Sequence, residues 1–228
     1  TTFIKHDLLT HFNFIQKNKV IVISEGVSIN KFSSPNNLES TKKKYNLPKT
    51  FIYYPAQLWR HKNHETVLNG LHHLKTKFNL EIPLILTGSK SNAAPSIFKS
   101  IKTLKLQKVI YLGVIPFDDL IDLYHLSTII ISAALYESSS LPILEACAAG
   151  TAILASDIPS NLETSHIFSL NLFRSKDSQD FAEKLYNLWL NIDDRQKQIK
   201  TNLSNINSRS WEVIGSHYLS QFHKILHS

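Results

Sequence analysis

The chain has 228 residues, of which 43% are hydrophobic and 19% are charged, and its formal net charge is +7. This composition excludes an intrinsically disordered chain and predicts a globular protein with a sizeable core. We find no apolar run of membrane-spanning length and no signal-peptide pattern, and the lone Cys147 excludes an internal disulfide. We therefore expect a cytoplasmic protein, and the basic surplus suits a polyanionic ligand or surface.

Helices and strands alternate in the first half of the chain. Apolar residues at near-helical spacing predict a helix over residues 3–17, and an apolar run predicts a strand over residues 20–24. The next predicted elements are a helix from Pro35 capped by Asn36 and Asn37, a strand over 51–56, a helix over 65–78 capped by Asn63, and a strand over 82–87.

The same alternation continues in the second half. The predicted elements are a helix over 95–106, a strand over 109–112, a helix over 117–126, a strand over 128–134, a helix over 141–150 and a strand over 153–156. Weaker patterns predict a strand over 167–170, a helix bearing Phe181 and Leu185, and two closing helices, the last from about 210 to 226. Because the strands are apolar throughout, we predict an α/β fold with a doubly wound parallel sheet.

A polar loop, Ser138-Ser139-Ser140, separates the uncharged strand from the helix that Leu141 opens and Gly150 ends. In parallel sheets, the edge where strands end and helices begin is the usual place for ligands, especially phosphates. Two carboxylates flank this junction: Glu137 precedes the loop and Glu145 lies within the helix. The loop is therefore our candidate binding site.

The segment from Glu137 to Glu145 resembles the Glu-(seven residues)-Glu signature of retaining glycosyltransferases of family four (group 1). Other stretches resemble segments of this family in the same order: Glu25-Gly26-Val27 with Phe32, Pro55 to His64, Leu112 to Pro116 with Leu120 and Leu123-Tyr124, and Ser210-Trp211-Glu212. The resemblance implies the B-type fold, with residues 20–228 as its Rossmann-like, donor-binding domain. Residues 1–19 would be either the end of an amino-terminal acceptor domain that is otherwise missing or a linker helix, and the last helix would pack back on that domain. A sequence without Met fits such a fragment.

The resemblance also implies a reaction. A hexose would be transferred, with retention of configuration, from a nucleotide diphosphate sugar to a glycan or lipid-linked acceptor in polysaccharide biosynthesis. The donor is expected to be UDP- or GDP-linked, with mannose suggested by relatives with a similar Trp-x-His-Lys-Asn-His turn. The isolated fragment is expected to be inactive, and a non-catalytic nucleotide-sugar-binding module is the alternative. We expect no nucleic-acid partner, and peripheral contact with the inner face of a membrane stays open.

Breaking the bond between the sugar and the diphosphate requires stabilisation of the leaving group. The backbone amides at the amino end of the 141–150 helix, those of Ser139, Ser140 and Leu141, suit this task. The resemblance gives Lys62 the pyrophosphate-binding, catalytic role. A second family cation lies five residues earlier, where this chain has Gln57, and Arg60 is the nearest replacement.

The remaining roles also come from the resemblance. Glu145 would accept both ribose hydroxyls, backbone atoms near Val114 would hold the base, and Glu137 would lie at the sugar. Glu137 acts either as a nucleophile or as a hydrogen-bond anchor, and we favour the anchor. The family often has glycines where this chain has Ser138 to Ser140, so serine hydroxyls would replace close backbone approach here.

We expect neither a metal nor another cofactor. The sequence has 11 histidines, but His72 and His73 diverge on a helix, and His61 and His64 straddle a helix start without a cysteine nearby. It also has no Asp-x-Asp pair, which metal-dependent A-type glycosyltransferases use.

Overall fold

One parallel sheet organises the computed structural model, which describes residues 1–227. Its six strands in this part of the chain are β1 (Ile52–Pro55), β2 (Leu84–Thr87), β3 (Val109–Gly113), β4 (Ile129–Ser132), β5 (Ala152–Ser156) and β6 (Asn171–Phe173). They lie in the order β3-β2-β1-β4-β5-β6, and every neighbouring pair is parallel. This confirms the predicted doubly wound α/β fold.

Helices connect and flank the strands. They are α1 (Thr2–His11), α2 (Ile29–Phe32), α3 (Leu38–Lys44), α4 (His64–Phe78), α5 (Ala94–Thr103), α6 (Phe117–Leu126), α7 (Leu141–Ala149), α8 (Pro159–Ser165), α9 (Ser178–Leu190), α10 (Ile192–Asn205) and α11 (Trp211–Leu226). Short 3₁₀ turns cover Lys17–Lys19, Arg60–Lys62 and Ile206–Arg209. Within residues 1–227, no helix combines the length with the apolar composition that a membrane-spanning segment requires.

Alternation along the buried strands divides the core between the two faces of the sheet. Ile52 and Tyr54 of β1 pack with α4, α5 and α9, whereas Tyr53 between them packs with α6 and α7. On the second face the apolar residues of α7, which are nearly all buried, lie directly against the sheet. The sheet is therefore covered on both faces, which explains why its strands carry no charged residue.

The strand order places a switch point between β1 and β4. The chain runs outward from β1 through β2 to β3, then returns beside β1 with β4 and continues to β6. Because α4 and α7 leave these two central strands on opposite faces, a crevice opens at their carboxyl ends. The turn after β1 and the polar loop after β4 lie at this crevice.

Three predictions at the margins were wrong. The first helix ends at His11, and residues 20–24 lie outside the sheet, with Ile21 and Val22 exposed. An apolar run forms a strand only if it pairs with the edge of a sheet. The edges here are β3 and β6, and residues 20–24 pair with neither of them. The predicted strand at 167–170 is instead β6, a few residues later, and α8 before it was not predicted.

The elements around the crevice were predicted well. Helix α6 has the predicted bounds, and α7 ends at Gly150, which adopts a left-handed conformation with φ of 69°. Asn63 begins α4 as predicted, but its side chain accepts from the Thr66 hydroxyl (2.9 Å) and not from a backbone N–H group. Asn37 caps α3 by accepting from the backbone N–H of Ser40 (3.0 Å).

Candidate functional site

The turn after β1 is tied directly to β4 and its following loop. The Leu135 N–H donates to the His61 carbonyl (2.7 Å). The buried Tyr54 hydroxyl donates to the Lys62 carbonyl and accepts from the Ala133 N–H (3.3 Å). These bonds fix the position of Lys62 relative to the loop, although the two segments are far apart in sequence.

Lys62 and Glu137, the two predicted catalytic residues, contact each other across the crevice. The Lys62 ammonium group forms an ion pair with Glu137 Oε1, and the side chains are 22% and 18% exposed. Partial burial strengthens such a pair relative to one on the open surface. Because Glu137 directly precedes Ser138, this contact places the Lys62 ammonium group beside the loop that contains the serines.

The amino end of α7 presents unpaired backbone donors to the same crevice. Ser140 occupies the cap position without a side-chain capping bond. Within residues 1–227, the N–H groups of Ser139, Ser140 and Leu141 make no hydrogen bond. Together with the helix dipole, they form a site suited to an anion.

The three loop serines differ in their surroundings. Ser140 is buried, and its hydroxyl donates to Asn161 Oδ1 (2.7 Å), while the Asn161 amide donates to the Ser156 carbonyl (2.9 Å). The Ser140 side chain therefore anchors the loop to α8 and β5. Ser138 is exposed and Ser139 is half-buried, so their hydroxyls are the ones available to a ligand.

A cavity of about 200 Å³ adjoins the crevice and collects other predicted residues. Gln57, Val114 and Glu145 line it together with Gly88 and neighbouring apolar side chains. Gly88 has φ of 119°, and a Cβ there would lie 2.7 Å from the Ala56 carbonyl oxygen. Gly88 directly follows the strand predicted over 82–87. Its position shows that the cavity wall depends on close approach of two backbones.

Glu145 meets this cavity from the second turn of α7. Its Oε2 accepts from the Tyr124 hydroxyl. Burial raises the pKa of the Glu145 carboxyl, the Tyr124 hydrogen bond opposes this rise, and the negative charge of Glu25 adds to it. Glu145 is therefore an interior carboxylate held by a specific donor, and not a solvated helix residue.

The two residues predicted to supply or replace the second cation lie at the rim. Gln57 is exposed, and its Oε1 accepts from the Trp59 indole N–H. Arg60 is also exposed, and the hydrogen bonds that it makes within residues 1–227 involve its backbone atoms: its N–H donates to Asn92 Oδ1 (3.1 Å) and its carbonyl accepts from the Asn63 N–H (3.1 Å). Arg60 begins the 3₁₀ turn that contains Lys62, so its charge is near the crevice but not built into it.

Arg209 is a cation near the loop that sequence analysis missed. It lines a cavity of about 330 Å³ with Ser138 to Ser140, Glu163 and Trp211. Burial lowers the pKa of the Arg209 guanidinium, which the charge of Glu163 opposes. No local pattern marks it, because Arg209 lies at the far end of the chain from the loop.

The histidines near the site differ in exposure, since His61 is exposed and His64 is buried. The His64 ring packs against Tyr54 in a tilted arrangement, with ring centroids 4.8 Å apart. Burial lowers the pKa of His64 to about 4, so the ring is neutral near pH 7. Among the residues described, no three His, Cys, Asp or Glu side chains are grouped as metal ligands.

Comparison with known proteins identifies relatives of this arrangement. Residues 37–204 match the family model described as "Glycosyl transferases group 1". Over 130 residues the chain is 31% identical to the serotype-specific mannosyltransferase WbdA of Escherichia coli, a match covering 56% of the chain and 16% of WbdA. The chain thus spans only a small part of the curated relatives that it matches.

Solved structures resemble nearly the whole chain. A glycosyltransferase from Rickettsia africae matches with a TM-score of 0.88 and 26% identity, covering 99% of this chain and 62% of that one. HepE of Anabaena, solved with UDP and glucose, matches with a TM-score of 0.78 and 18% identity, covering 92% and 58%. The carboxy-terminal domain of LpcC from Francisella tularensis matches with a TM-score of 0.68 and 19% identity, covering 81% and 98%. The last two likenesses concern the fold alone.

Proposed function

Because the chain belongs to the group 1 glycosyl transferases, we propose that it is the donor-binding domain of a retaining glycosyltransferase. The observation that carries this proposal is the meeting of Lys62, Glu137 and the unpaired amides of α7 at one crevice. These groups offer a cation, a carboxylate and hydrogen-bond donors in the arrangement that a sugar diphosphate requires.

In this proposal the diphosphate lies against the amino end of α7. The N–H groups of Ser139, Ser140 and Leu141 donate to its oxygens, and the Lys62 ammonium group neutralises charge from the opposite side. A bound diphosphate then competes with Glu137 for Lys62. As the bond to the sugar breaks, negative charge builds on the diphosphate, where these donors already lie.

The nucleoside would occupy the neighbouring cavity. The Glu145 carboxylate lines it and accepts the ribose hydroxyls, while the backbone near Val114 contacts the base. Gln57 and Arg60 lie at the rim, where they would contact phosphate oxygens. Recognition of the base through backbone atoms leaves the choice between uracil and guanine to small differences in shape.

Glu137 would act on the sugar. Once Lys62 contacts the diphosphate, the Glu137 carboxylate is free to anchor sugar hydroxyls and to stabilise positive charge at the reacting carbon. The acceptor oxygen forms the new bond to that carbon, the diphosphate leaves, and a diphosphate oxygen takes the acceptor proton. We propose this front-face route without a metal or another cofactor, and with retention of configuration.

The relatives suggest the substrates. WbdA is named a mannosyltransferase, and the HepE structures contain UDP, glucose or UDP-glucose. We propose a UDP- or GDP-hexose donor, with mannose as the first sugar to test, and a glycan or lipid-linked acceptor. Contact with a membrane surface through the basic exterior belongs to the same proposal.

The acceptor would bind to another domain. Residues 1–19 would be the end of that domain or a linker to it, because α1 has no buried residue and so contributes none to the core of the donor-binding domain. Glu163 of α8 holds α1 in place by accepting from the Thr2 (2.8 Å) and Phe3 (3.2 Å) N–H groups. Tyr218, Leu219 and other apolar side chains of α11 are exposed, as expected if that domain covers them. The chain alone would then bind the donor without transferring it.

Thermal-shift and calorimetric titrations with UDP, GDP, ADP and their hexose conjugates test the proposal. A nucleoside diphosphate should stabilise the chain, and Glu145→Ala should weaken its binding. Unchanged affinity would remove Glu145 from the site. The alternative, a non-catalytic binding module, predicts the same binding but no transfer or donor hydrolysis by a longer protein containing both domains.

A further inference from the structure

Tyr124 contacts the proposed site from the core. It lies on α6, and its side chain is fully buried. Its ring packs edge-on against Phe32 and Tyr53, with centroids 5.5 Å away in each case. This packing fixes the ring, and therefore also fixes the direction in which the hydroxyl points.

Among residues 1–227, the Tyr124 hydroxyl donates to a single hydrogen-bond acceptor. It donates to Glu145 Oε2 across the contact between α6 and α7. Phenylalanine would fill the same space without a hydroxyl. A buried hydroxyl costs free energy unless it has a hydrogen-bond partner. The polar atom of Tyr124 therefore serves the Glu145 carboxylate, and the rest of the side chain serves the core.

Glu145 has acceptor capacity to spare beyond this bond. Its Oε1 makes no hydrogen bond within residues 1–227, and the side chain lines the nucleoside cavity. A carboxylate offers about four lone-pair positions, of which Tyr124 occupies one. The remainder suits two neighbouring hydroxyl groups, which is the chemistry of a ribose and not of a 2′-deoxyribose.

We propose that Tyr124 is the positioning residue that holds Glu145 ready for the two ribose hydroxyls, so that it sets the preference for ribonucleotides over deoxyribonucleotides. This inference rests on the proposed function, since it assumes that a nucleoside diphosphate occupies the cavity. Holding the carboxylate before the ligand arrives reduces the conformational entropy lost on binding.

The charges around Glu145 give a second readout. The titratable groups that face it are Tyr124, Glu25 and Tyr53. Burial raises the pKa of Tyr124 well above its usual value, so its hydroxyl stays a donor. Without that donor the pKa of Glu145 rises further, because burial and Glu25 then act unopposed. As the pH falls, the Glu145 carboxyl of such a variant therefore becomes protonated sooner. Binding that needs the ionised carboxylate is then lost at a higher pH than in the wild type.

Tyr124→Phe is the test, and Tyr53→Phe is the matched control. Both remove one hydroxyl from a buried tyrosine, but the Tyr53 hydroxyl pairs with Thr87 Oγ1 (2.7 Å) and not with Glu145. Calorimetry would measure the affinity of each folded variant for UDP and GDP and for their 2′-deoxy forms across a pH series. Thermal melting confirms folding beforehand.

We expect the wild type and Tyr53→Phe to prefer the ribose form by about tenfold or more, since hydrogen bonds to charged groups are the strong ones. Tyr124→Phe should lose most of this preference. On acidification, its nucleotide binding should be lost at a higher pH than that of the Tyr53→Phe control. A Tyr124→Phe variant with full preference and an unmoved pH profile would overturn the inference while leaving the proposed function intact. Absence of any nucleotide binding by the wild type would instead overturn the proposed function.

Discussion

The Lys62 ammonium group contacts the Glu137 carboxylate, joining the turn after β1 to the loop after β4. Each residue was assigned a separate role from the sequence, one at the diphosphate and one at the sugar. Their direct contact means that these roles are coupled, because a ligand that attracts Lys62 releases Glu137.

Lys62→Gln should weaken binding of a nucleoside diphosphate by about 1.5–3 kcal/mol, the range for a hydrogen bond to a charged group. The reason is that Lys62 points into the crevice, held by the Tyr54 bond to its carbonyl. Arg60→Gln is the comparison variant, since Arg60 lies in the same turn but is exposed, so solvent screens its proposed contact with phosphate oxygens. Calorimetry should show a much smaller effect for Arg60, and the opposite ranking would remove Lys62 from the site.

Glu137→Gln should affect two ligands in opposite directions. It removes the charge that competes for Lys62, so a nucleoside diphosphate without a sugar should bind equally well or more tightly. The corresponding nucleotide sugar should bind less tightly relative to the diphosphate, because its sugar loses a charged hydrogen-bond acceptor. The ratio of the two dissociation constants is the quantity to measure. An unchanged ratio would show that Glu137 does not contact the sugar.

Gly88→Ala should destabilise the chain and close the nucleoside cavity. A Cβ at Gly88 would lie 2.7 Å from the Ala56 carbonyl oxygen, at φ of 119°. Overpacking of this kind costs about 1–3 kcal/mol in the free energy of unfolding, measurable by urea denaturation. Gly215→Ala is the control, because Gly215 lies within α11 and, apart from its chain neighbours and the helix backbone around it, no atom of residues 1–227 lies within 4 Å of the added Cβ. There alanine should be neutral or stabilising, and equal losses at both positions would contradict the structure.

Stability should fall with acid because of His64. Burial lowers the pKa of His64 to about 4 from 6.5, so the unfolded chain binds a proton more readily. The contribution of the neutral ring is complete above pH 6.5 and is lost as the pH falls toward 4. Between pH 7 and pH 5 this linkage amounts to about 2 kcal/mol in the free energy of unfolding.

His64→Gln replaces the ring by a side chain that does not titrate. Its free energy of unfolding should therefore change less between pH 7 and pH 5 than that of the wild type. Urea titrations at both pH values measure this difference. His61→Gln is the control, because His61 is exposed. A variant at His64 with the full acid dependence would show that other groups cause it.

Most of the fold could be predicted because the buried strands are uncharged, apolar runs that stand out in the sequence. The runs around β1, β4 and β5 are uncharged and rich in β-branched, aromatic or small residues, so their strands were placed within a residue or two. The failures at 20–24 and 167–170 lie where apolar residues pack outside the sheet or beside a short strand. Whether such a run joins a sheet depends on free edges, which local sequence does not specify.

The residues in and next to the loop could be predicted from the sequence, whereas several residues that other elements bring to the site could not. Glu137 and Glu145 flank the loop in the sequence, so a single pattern of strand, polar loop and helix is enough to identify them as candidates. Tyr124, Arg209 and Gly88 come to the site from other elements, so only tertiary structure brings them there. The sequence also made the Ser140 hydroxyl a candidate for binding the ligand. In the structure this hydroxyl instead donates to Asn161 Oδ1.

The most direct test of the account is a crystal structure of the chain with the nucleoside diphosphate that stabilises it most. We predict that the diphosphate oxygens lie within hydrogen-bond distance of the Lys62 ammonium group and of the N–H groups of Ser139 to Leu141. The ribose should lie at Glu145. A diphosphate bound elsewhere, with Lys62 still paired to Glu137, would contradict the central claim.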